Sequence, residues 1–303
     1  MIGVDLGGTK IEACLLGSRG EFLYRERRAT PKGDYQATLL TIRELLIEID
    51  GRFKTQGKAI GIGTPGALVA SSGKLKNSNS TWLLDKPLRE DLRQVLGRPV
   101  FMSNDANCFT LSEARDGAGQ GSDLVFGVIL GTGVGGGFAF RGEVWEGPNA
   151  IAGEFGHCAL PRRTTDDGPN RACYCGKMDC VETYVSGPAV EAEFQQLTKD
   201  HRSVTDIESL ALEGNPLARK TMDRFFNRLA RSLAEMINLL DPSCIVFGGG
   251  LSNLHTLYEE LPERVAKAAF GSENKTQFRK AIYGDSSGVR GAAWLPFQKS
   301  KGA

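Results

Sequence analysis

The chain has 303 residues, of which 41% are hydrophobic and 24% charged, and its formal net charge is +1. A net charge so close to zero gives no electrostatic reason to expect nucleic acid or an anionic membrane surface as a partner. A chain of this length exceeds one typical domain, so two lobes or one large α/β unit is expected. The seven cysteines occur without a signal peptide at the N-terminus, which favours reduced thiols in the cytoplasm.

The N-terminal elements are predicted to form a small sheet with one helix. The segment "IGVDL" at residues 2–6 is typical of a buried strand, and after the turn "GGTK" the segment "IEACLL" returns as a second strand. Apolar residues between 35 and 53 recur at steps of three and four, which predicts an amphipathic helix. Another buried strand, "AIGIGTPG" at 59–66, ends in a Pro-Gly turn.

The elements that follow alternate between strand and helix. Residues 98–107, "RPVFMSNDAN", are predicted to be a strand that runs into a polar tip, and residues 106–116 are predicted to be helical. A helix is expected over about 216–240, and it leads into the strand and glycine loop "CIVFGGGLS" at 244–252. A last helix at about 288–303 is expected to pack back onto the N-terminal lobe.

Residues 124–140, "LVFGVILGTGVGGGFAF", are similar to the N-terminal hairpin. Both segments share Gly-Val-x-Leu-Gly, a glycine-rich turn and a returning strand. The run carries no charge, but its glycines make a membrane helix unfavourable, so a buried hairpin is expected. Two copies of one hairpin predict two related lobes that face each other across a cleft. The expected lobes are residues 1–108 and residues 109–287.

The glycine-rich turns are candidates for a nucleotide site. Without a Cβ, backbone N–H groups can approach an anion closely, so two opposed hairpins can hold the phosphates while a third glycine loop suits the adenosine. Simple tight turns are the alternative. The sequence contains neither a Walker A loop nor a dinucleotide-binding glycine motif. The predicted nucleotide contacts are Asp5, Gly7, Gly8, Thr9, Gly131, Thr132, Gly133, Gly248 and Gly249.

Two aspartates are candidates for phosphoryl-transfer chemistry. Asp105 stands at the polar tip of an apolar strand, where a carboxylate can accept the proton of a substrate hydroxyl. A helix N-cap is the alternative role for this residue. Asp5 lies inside an apolar strand, where an acid is costly unless it is paired or near a metal. We expect Asp5 to serve Mg²⁺ through water, and a structural hydrogen bond is the alternative.

Three of the cysteines are concentrated in the segment "CYCGKMDC". Cys173, Cys175 and Cys180 supply three soft ligands, and a tetrahedral Zn²⁺ site takes four. Buried free thiols or a disulfide are the alternatives. The clustering argues against the first, and a reducing compartment argues against the second.

Several motifs together resemble one superfamily. The segments "GVDLGGTK", "LGTGVGGG" and "IVFGGG" are similar to the phosphate-1, phosphate-2 and adenosine motifs of the actin-like ATPases. Within that superfamily, "GEFGH" at 153–157 and "CYCGKMDCVE" at 173–182 resemble the ROK family of bacterial sugar kinases and repressors. The resemblance extends from residue 2 to about 296. It implies an α/β, two-lobed ribonuclease-H-like fold with a cleft between the lobes, ATP as phosphoryl donor, a hexose as substrate and a homodimer.

The resemblance also implies roles for individual residues. Asp105 takes the place of the catalytic base, and Asn104 that of a sugar ligand. His157 takes the place of the fourth zinc ligand, which completes a closed Cys₃His site of the structural type. Glu154, His157 and Glu182 are then held against the sugar hydroxyls.

Three positions refine or depart from the family pattern. The second hairpin has Ile129 where the first has Asp5, and this pattern resembles the sugar kinases rather than the actin-type ATPases. Asp179 stands where the family usually has a glycine, although aspartate tolerates a left-handed turn better than most residues. Cys158, next to His157, is a possible competitor as a zinc ligand.

The segment "KNSNSTWL" at 76–83 is the candidate for sugar selection. It resembles the bacterial fructokinase/mannokinase branch, which makes Asn79 a candidate sugar contact, with Gly66 offering its backbone. A surface loop with Trp82 packed inward is the alternative. We therefore expect ATP-dependent phosphorylation of the 6-hydroxyl of fructose, with mannose or glucose as secondary substrates. An N-acetylglucosamine kinase or a glucokinase of the same family is the alternative.

Two roles without catalysis compete with the kinase. Sugar-responsive repressors of the same family carry a winged helix-turn-helix before the first strand, whereas "GVDLGGTK" begins at residue 3 of this chain. We therefore expect no DNA-binding module. A sugar sensor that has lost catalysis is the other alternative, and the presence of Asp105 with both phosphate loops argues against it.

Overall fold

The computed structural model describes residues 1–69, 72–78, 80–271 and 273–298. The chain forms two compact units, and its strands form two five-stranded sheets and one two-stranded sheet in the described residues. Helices and mixed sheets together agree with the expected α/β class. In this part of the chain no helix is both long enough and apolar enough to cross a lipid bilayer.

Strands and helices alternate along much of the described chain. The strands are β1 Ile2–Leu6, β2 Lys10–Leu16, β3 Phe22–Ala29, β4 Ile60–Thr64, β5 Ala67–Leu68, β6 Leu75–Lys76, β7 Val100–Asn104, β8 Leu124–Leu130, β9 Val134–Phe140, β10 Glu143–Val144, β11 Cys244–Gly248 and β12 Gln277–Lys280. The helices are α1 Tyr35–Phe53, α2 Leu88–Leu96, α3 Asp105–Arg115, α4 Glu182–Val185, α5 Gly187–Thr198, α6 Val204–Leu212, α7 Pro216–Leu240, α8 Thr256–Ala268 and α9 Ser287–Trp294.

The first unit comprises residues 1–121, 137–152 and the chain from 285 onward. Its sheet has the strand order β3-β2-β1-β4-β7. Strands β1, β4 and β7 are parallel, and β2 is antiparallel to β1 and to β3. Parallel strands present their carboxyl ends at one edge, where ligands commonly bind in α/β sheets. Asp5 and Asn104 therefore come to the same edge of this sheet.

Helix α9 packs closely against α3 and β4 because small residues line the contact. A Cβ on Gly291 would lie 1.6 Å from the carbonyl oxygen of Cys108, so only glycine allows α9 to approach α3 this closely. A Cβ on Gly61 of β4 would lie 1.7 Å from the carbonyl oxygen of Ala292. These contacts make α3 part of the first unit.

The boundaries differ from those expected from the sequence. The first unit continues beyond α3 and includes residues 137–152, where the sequence suggested a boundary after residue 108. The helix expected at about 288–303 is also shorter, since α9 ends at Trp294 and a 3-10 turn with Pro296 follows. Proline lacks the N–H that would continue the helix.

The second unit comprises residues 122–136 and 153–284. Within this unit β8, β11 and β12 are parallel neighbours in the second five-stranded sheet, in the order β8-β11-β12. Gly248 at the end of β11 pairs with Ile129 of β8. The glycine segments that follow these two strands therefore lie at one edge of the sheet.

Helix α7 matches the helix predicted over 216–240. The side chain of Asn215 caps its first amides, and Asp241 ends it in the left-handed conformation. Within the second unit its buried face packs against α6 and α8. Local start and stop signals thus explain the bounds of this helix.

Candidate active site

The carboxyl edge of the first sheet brings Asp5 and Asp105 into one neighbourhood. Strand pairing places Asp5 beside Gly63 and Gly63 beside Ser103. Asp105 follows two residues after Ser103, as the first residue of α3. Desolvation by burial raises the pKa of Asp5, and the negative charge of Asp105 raises it further, as the proximity of the two groups requires. The two predicted carboxylates therefore lie close together at this edge of the sheet.

Asp105 is not the helix cap that the sequence left open as its alternative role. The N-cap of α3 is Asn104, whose side chain accepts a hydrogen bond from the Asn107 amide at 2.8 Å. Asp105 has solvent-accessible surface, and its Oδ1 accepts a hydrogen bond from the Ala106 amide at 2.8 Å. Surrounding protein atoms nevertheless desolvate the carboxyl group and raise its pKa. An accessible, partly desolvated carboxylate that caps no helix is suited to accept a proton.

Asp5 is half-buried near the end of β1. Desolvation by burial, followed by the negative charges of Asp105 and Glu12, raises the pKa of its carboxyl group to about 7. A divalent cation would stabilise the ionised form of such a group, and Mg²⁺ is bound in proteins through few carboxylates and several waters. The role of Asp5 toward Mg²⁺ stays a prediction from the sequence.

The expected sugar contacts of the first unit are Gly66, Asn79 and Asn104. Asn104 is buried, and since its Oδ1 already accepts the Asn107 amide, its Nδ2 group is the part that can bind a sugar, as a donor. Gly66 has a φ of +85°, and a Cβ there would lie 2.3 Å from the Lys76 carbonyl oxygen, so this position requires glycine. Asn79 lies outside the described residues. Trp82 packs against the hydrophobic core, as the alternative interpretation of this loop expected.

The first glycine loop is a tight turn between β1 and β2. The Gly7 amide donates to the Lys10 carbonyl oxygen at 2.9 Å, and the Thr30 hydroxyl donates to the Gly7 carbonyl oxygen at 2.7 Å. Thr9 is exposed and Gly8 is half-buried. Because the Gly7 amide is used within the turn, the amides of Gly8 and Thr9 are the better candidates for a phosphate.

The second glycine loop joins β8 to β9 in the chain. The Gly131 amide donates to the Gly133 carbonyl oxygen at 3.0 Å, and the Gly187 amide donates to the Gly131 carbonyl oxygen at 2.8 Å. Thr132 is exposed at the tip of this turn. The loop is therefore an ordered turn with an accessible tip, as a phosphate-binding turn requires.

The third glycine loop follows β11. Gly248 is buried as the last residue of the strand, and Gly249 is exposed with a φ of +80°. A Cβ on Gly249 would lie 2.3 Å from the Leu130 carbonyl oxygen, so glycine allows the loop to rest against the end of β8. Two of the three predicted nucleotide loops thus lie side by side in the second unit.

The four predicted zinc ligands converge in the second unit. The ligand atoms of His157, Cys173, Cys175 and Cys180 all lie within 4.8 Å of one another. Cys173 Sγ is 3.6 Å from His157 Nδ1, and Cys175 Sγ is 3.6 Å from Cys180 Sγ. A tetrahedral Zn²⁺ ion with bonds of about 2.3 Å to sulfur separates neighbouring sulfurs by about 3.8 Å. The spacing and the set of donors therefore fit a closed zinc site, and the thiols are free of disulfides.

The outer nitrogen of His157 contacts Tyr174, a residue to which no sequence motif assigned a role. His157 Nε2 is 3.0 Å from Tyr174 Oη, and the two rings meet edge to face. A proton on Nε2 leaves Nδ1, which faces the sulfurs, free to bind a metal. Cys158, considered as a competing ligand, is exposed and is not part of the converging group.

Asp179 stabilises the turn before the last cysteine. It adopts a left-handed conformation, with a φ of +59°. Its Oδ1 accepts hydrogen bonds from the Arg171 amide at 2.8 Å and from the Tyr184 hydroxyl at 2.5 Å. The aspartate therefore takes the place of the family's glycine and keeps the turn, because its side chain accepts hydrogen bonds from the surrounding segment.

The two glutamates expected at the sugar have different surroundings. Glu154 is half-buried and precedes the 3-10 turn Phe155–His157. Glu182 is half-buried at the start of α4, and its Oε2 accepts a hydrogen bond from the Val134 amide at 2.8 Å. Glu182 therefore contacts the second glycine loop, which the sequence did not predict.

Comparison with known proteins shows similarity over nearly the whole chain. The model of the ROK family matches residues 1–299. The N-acetyl-D-glucosamine kinase of Vibrio atlanticus (strain LGP32) is 41% identical over 297 residues, which cover 97% of this chain and 98% of that protein. The crystal structure of the ROK hexokinase from Thermus thermophilus has a TM-score of 0.86 at 31% identity and covers 97% of each chain. The ROK family glucokinase from Streptomyces griseus, in complex with glucose and AMPPNP, has a TM-score of 0.75 at 29% identity and covers 97% of this chain and 98% of that one.

These similarities confirm the expected two-lobed fold of the actin-like ATPase superfamily, and they support sugar kinase activity with ATP. They do not support the preference for fructose that was expected from residues 76–83. The curated relatives carry the name of the alternative, N-acetyl-D-glucosamine kinase. A short polar loop presents hydroxyls and amides that suit many sugars, so it is a weak guide to the substrate.

Proposed function

Because the chain belongs to the ROK family, we propose that it is an N-acetyl-D-glucosamine kinase that transfers the γ-phosphoryl group of ATP to the 6-hydroxyl of that sugar. The observation that carries the proposal is the 41% identity to an N-acetyl-D-glucosamine kinase over 97% of the chain. The expectation of fructose depended on one short loop, whereas this identity extends over nearly all of the sequence. The wider similarity is therefore the better guide to the substrate.

In this proposal Asp105 is the general base. As the sugar hydroxyl oxygen attacks the γ-phosphorus, its proton passes to an Asp105 oxygen, the new O–P bond forms and the bond to the bridging oxygen breaks to release ADP. The raised pKa of Asp105 makes it a stronger proton acceptor than an aspartate of ordinary pKa. Asn104 caps the helix that Asp105 begins, which anchors the carboxylate on a rigid element.

Backbone amides hold the phosphates in this proposal. The candidates are the amides of Gly8 and Thr9 in the first glycine loop and those of Thr132 and Gly133 in the second, since the Gly131 amide bonds within its own turn. Gly248 and Gly249 offer a close backbone approach for the adenosine. Amides fixed in turns stabilise phosphate charge without reorganising during the reaction. Mg²⁺, held through water by Asp5, would neutralise further charge on the phosphates.

The cysteine and histidine side chains have a supporting role in this proposal. His157, Cys173, Cys175 and Cys180 would hold Zn²⁺ in a closed site, which supplies rigidity and leaves no open position for water. This site would fix the ring of His157 and the chain segments that carry Glu154 and Glu182. Carboxylates positioned in this way can accept hydrogen bonds from sugar hydroxyls.

A panel of sugars tests the proposed function. ADP release from MgATP is measured with N-acetylglucosamine, N-acetylmannosamine, glucose, mannose and fructose, and a reaction without sugar serves as the control. We expect the highest kcat/KM with N-acetylglucosamine, and a product that NMR identifies as the 6-phosphate. A higher kcat/KM with fructose or glucose would contradict N-acetylglucosamine as the preferred substrate. If no sugar leads to ADP release, the proposed kinase activity is wrong.

A further inference from the structure

Two hydrogen bonds connect the second glycine loop to the chain that follows the cysteines. The Val134 amide donates to Glu182 Oε2 at 2.8 Å, and the Gly187 amide donates to the Gly131 carbonyl oxygen at 2.8 Å. Glu182 is the first residue of α4 and Gly187 is the first residue of α5. The loop is therefore held at both of its ends by one short segment, residues 182–187.

The fit between Glu182 and the loop is close. A Cβ on Gly133 would lie 2.7 Å from Glu182 Oε2, which is closer than a methyl group and an oxygen can approach without a shift. Gly133 is not among the glycines with positive φ, so its backbone conformation is open to other residues. A side chain at position 133 would therefore displace the end of the Glu182 side chain from its place beside the loop. A hydrogen bond to an ionised acceptor is also about twice as strong as a neutral one.

The cysteine segment determines where Glu182 lies. Glu182 follows Cys180 by two residues, and the Thr183 amide donates to the Cys180 carbonyl oxygen at 2.9 Å. On the other side of Glu182, the Val181 amide donates to the Cys158 carbonyl oxygen at 2.9 Å. The neighbours of Glu182 are thus bonded to the segments that carry the candidate zinc ligands.

We propose that Glu182 is a positioning residue for the nucleotide, because its carboxylate holds the Gly131–Val134 backbone in the conformation that binds phosphate. This inference rests on the proposed function, in which the same loop contacts ATP. The carboxylate does not bind the phosphates itself, since like charges repel. It accepts a hydrogen bond from the Val134 amide, and the Gly131 amide bonds within the turn, so the amides of Thr132 and Gly133 are left for the anion. This role goes beyond the sugar contact implied for Glu182 by the family resemblance.

Binding of MgADP to the full chain tests this role, with isothermal titration calorimetry in the absence of sugar. Glu182→Ala removes the acceptor and is expected to weaken ADP binding by about tenfold or more. Glu182→Gln keeps a neutral acceptor and is expected to recover part of that loss. The matched control is Glu213→Gln, an exposed glutamate of the same unit, and we expect it to bind ADP like the wild type.

A substitution in the loop provides a second test. In the wild-type background the Cβ of Gly133→Ala meets Glu182 Oε2, so ADP binding is expected to weaken. In the Glu182→Ala background that contact is absent, so the same substitution is expected to have a smaller effect. Equal effects in the two backgrounds would overturn the proposed contact. Full ADP affinity in Glu182→Ala would overturn the positioning role.

Failure of this inference differs from failure of the proposed function. If the wild type binds no ADP, both are wrong. If the wild type binds ADP and Glu182→Ala binds it equally well but shows a higher KM for the sugar, only the inference is wrong. The inference is supported if Glu182→Ala raises the KM for ATP by a larger factor than it lowers kcat. The melting temperature of this variant should stay close to that of the wild type, which excludes a general loss of stability.

Discussion

Asp5 and Asp105 are electrostatically coupled: burial and then the negative charge of Asp105 raise the pKa of Asp5 to about 7. Both lie at the carboxyl edge of one parallel sheet, Asp5 near the end of β1 and Asp105 at the start of α3. Neighbouring carboxyl groups with different surroundings can take different chemical roles. In this pair Asp5 is suited to the cation on the phosphates and Asp105 to the proton of the sugar.

Activity should fall at acid pH, because Asp105 must be ionised to accept a proton. Desolvation by the surrounding protein atoms raises its pKa above the ordinary aspartate value of about 3.9. The ionised fraction is therefore lost at a higher pH than for an aspartate of ordinary pKa. We expect kcat/KM for N-acetylglucosamine to decrease as the pH falls through this raised pKa. A profile of kcat/KM against pH measures this, and constant activity down to about pH 4 would be inconsistent with Asp105 as the base.

Replacement of Asp5 should weaken the response to Mg²⁺. Asp5→Asn removes the negative charge that would hold the hydrated ion, and loss of an outer ligand of this kind costs about tenfold or more in metal affinity. Initial rates at several Mg²⁺ concentrations give the half-saturating value, which we expect to rise by that factor. Asp85→Asn, an exposed aspartate of the same unit, is the control. An unchanged Mg²⁺ dependence in Asp5→Asn would exclude this role.

Tyr174 should contribute to zinc affinity through His157. Tyr174→Phe removes the oxygen that lies 3.0 Å from His157 Nε2, and residues that orient a metal-binding histidine typically contribute about tenfold or more to affinity. Competition with a chromophoric chelator measures the zinc affinity of the variant without reference to catalysis. Met178→Leu, a change at another exposed residue of the segment, should bind zinc like the wild type. If Tyr174→Phe and the wild type bind zinc with equal affinity, Tyr174 does not contribute to zinc binding.

Loss of Arg228 should destabilise the second unit strongly. The Arg228 side chain is only 2% exposed, and it donates to Asp167 Oδ1 at 3.0 Å and to Glu193 Oε2 at 2.6 Å. Arg228→Ala would remove one buried partner from each carboxylate, but Arg231 still pairs with Asp167 and Arg171 with Glu193. We therefore expect a loss near the lower end of the range of about 3–5 kcal/mol that breaking a buried ion pair costs. Urea unfolding measures the loss. Arg202→Ala breaks an exposed ion pair and should have little effect on the free energy of unfolding. If both variants lose a similar free energy of unfolding, burial of the ion pair does not determine the loss.

Local signals in the sequence predicted much of the fold. The helices over 35–53 and 216–240 have the same bounds in the structure, because apolar spacing and end caps are properties of neighbouring residues. The hairpin at 124–140 also formed as predicted, with strands on both sides of a glycine turn. Cys173 and Cys180 are close in sequence, so their convergence was predictable from spacing alone.

Contacts between distant segments were not predictable in the same way. Glu182 and Val134 are 48 residues apart, and no local pattern indicates that a side chain will bond a loop so far away. Asn104 and Asp105 could each have capped α3, and only the structure shows that Asn104 does so. The sugar preference was misjudged because it was inferred from one short loop, whereas the relevant similarity extends over the chain.

The role of Asp105 as general base is best tested by single-turnover phosphoryl transfer from ATP to N-acetylglucosamine, in the wild type and in Asp105→Asn. We expect the transfer rate to fall by about 10²–10⁴-fold in the variant, the usual contribution of a general base, while the sugar still binds. An Asp105→Asn protein that transfers the phosphoryl group at the wild-type rate would show that another group accepts the proton.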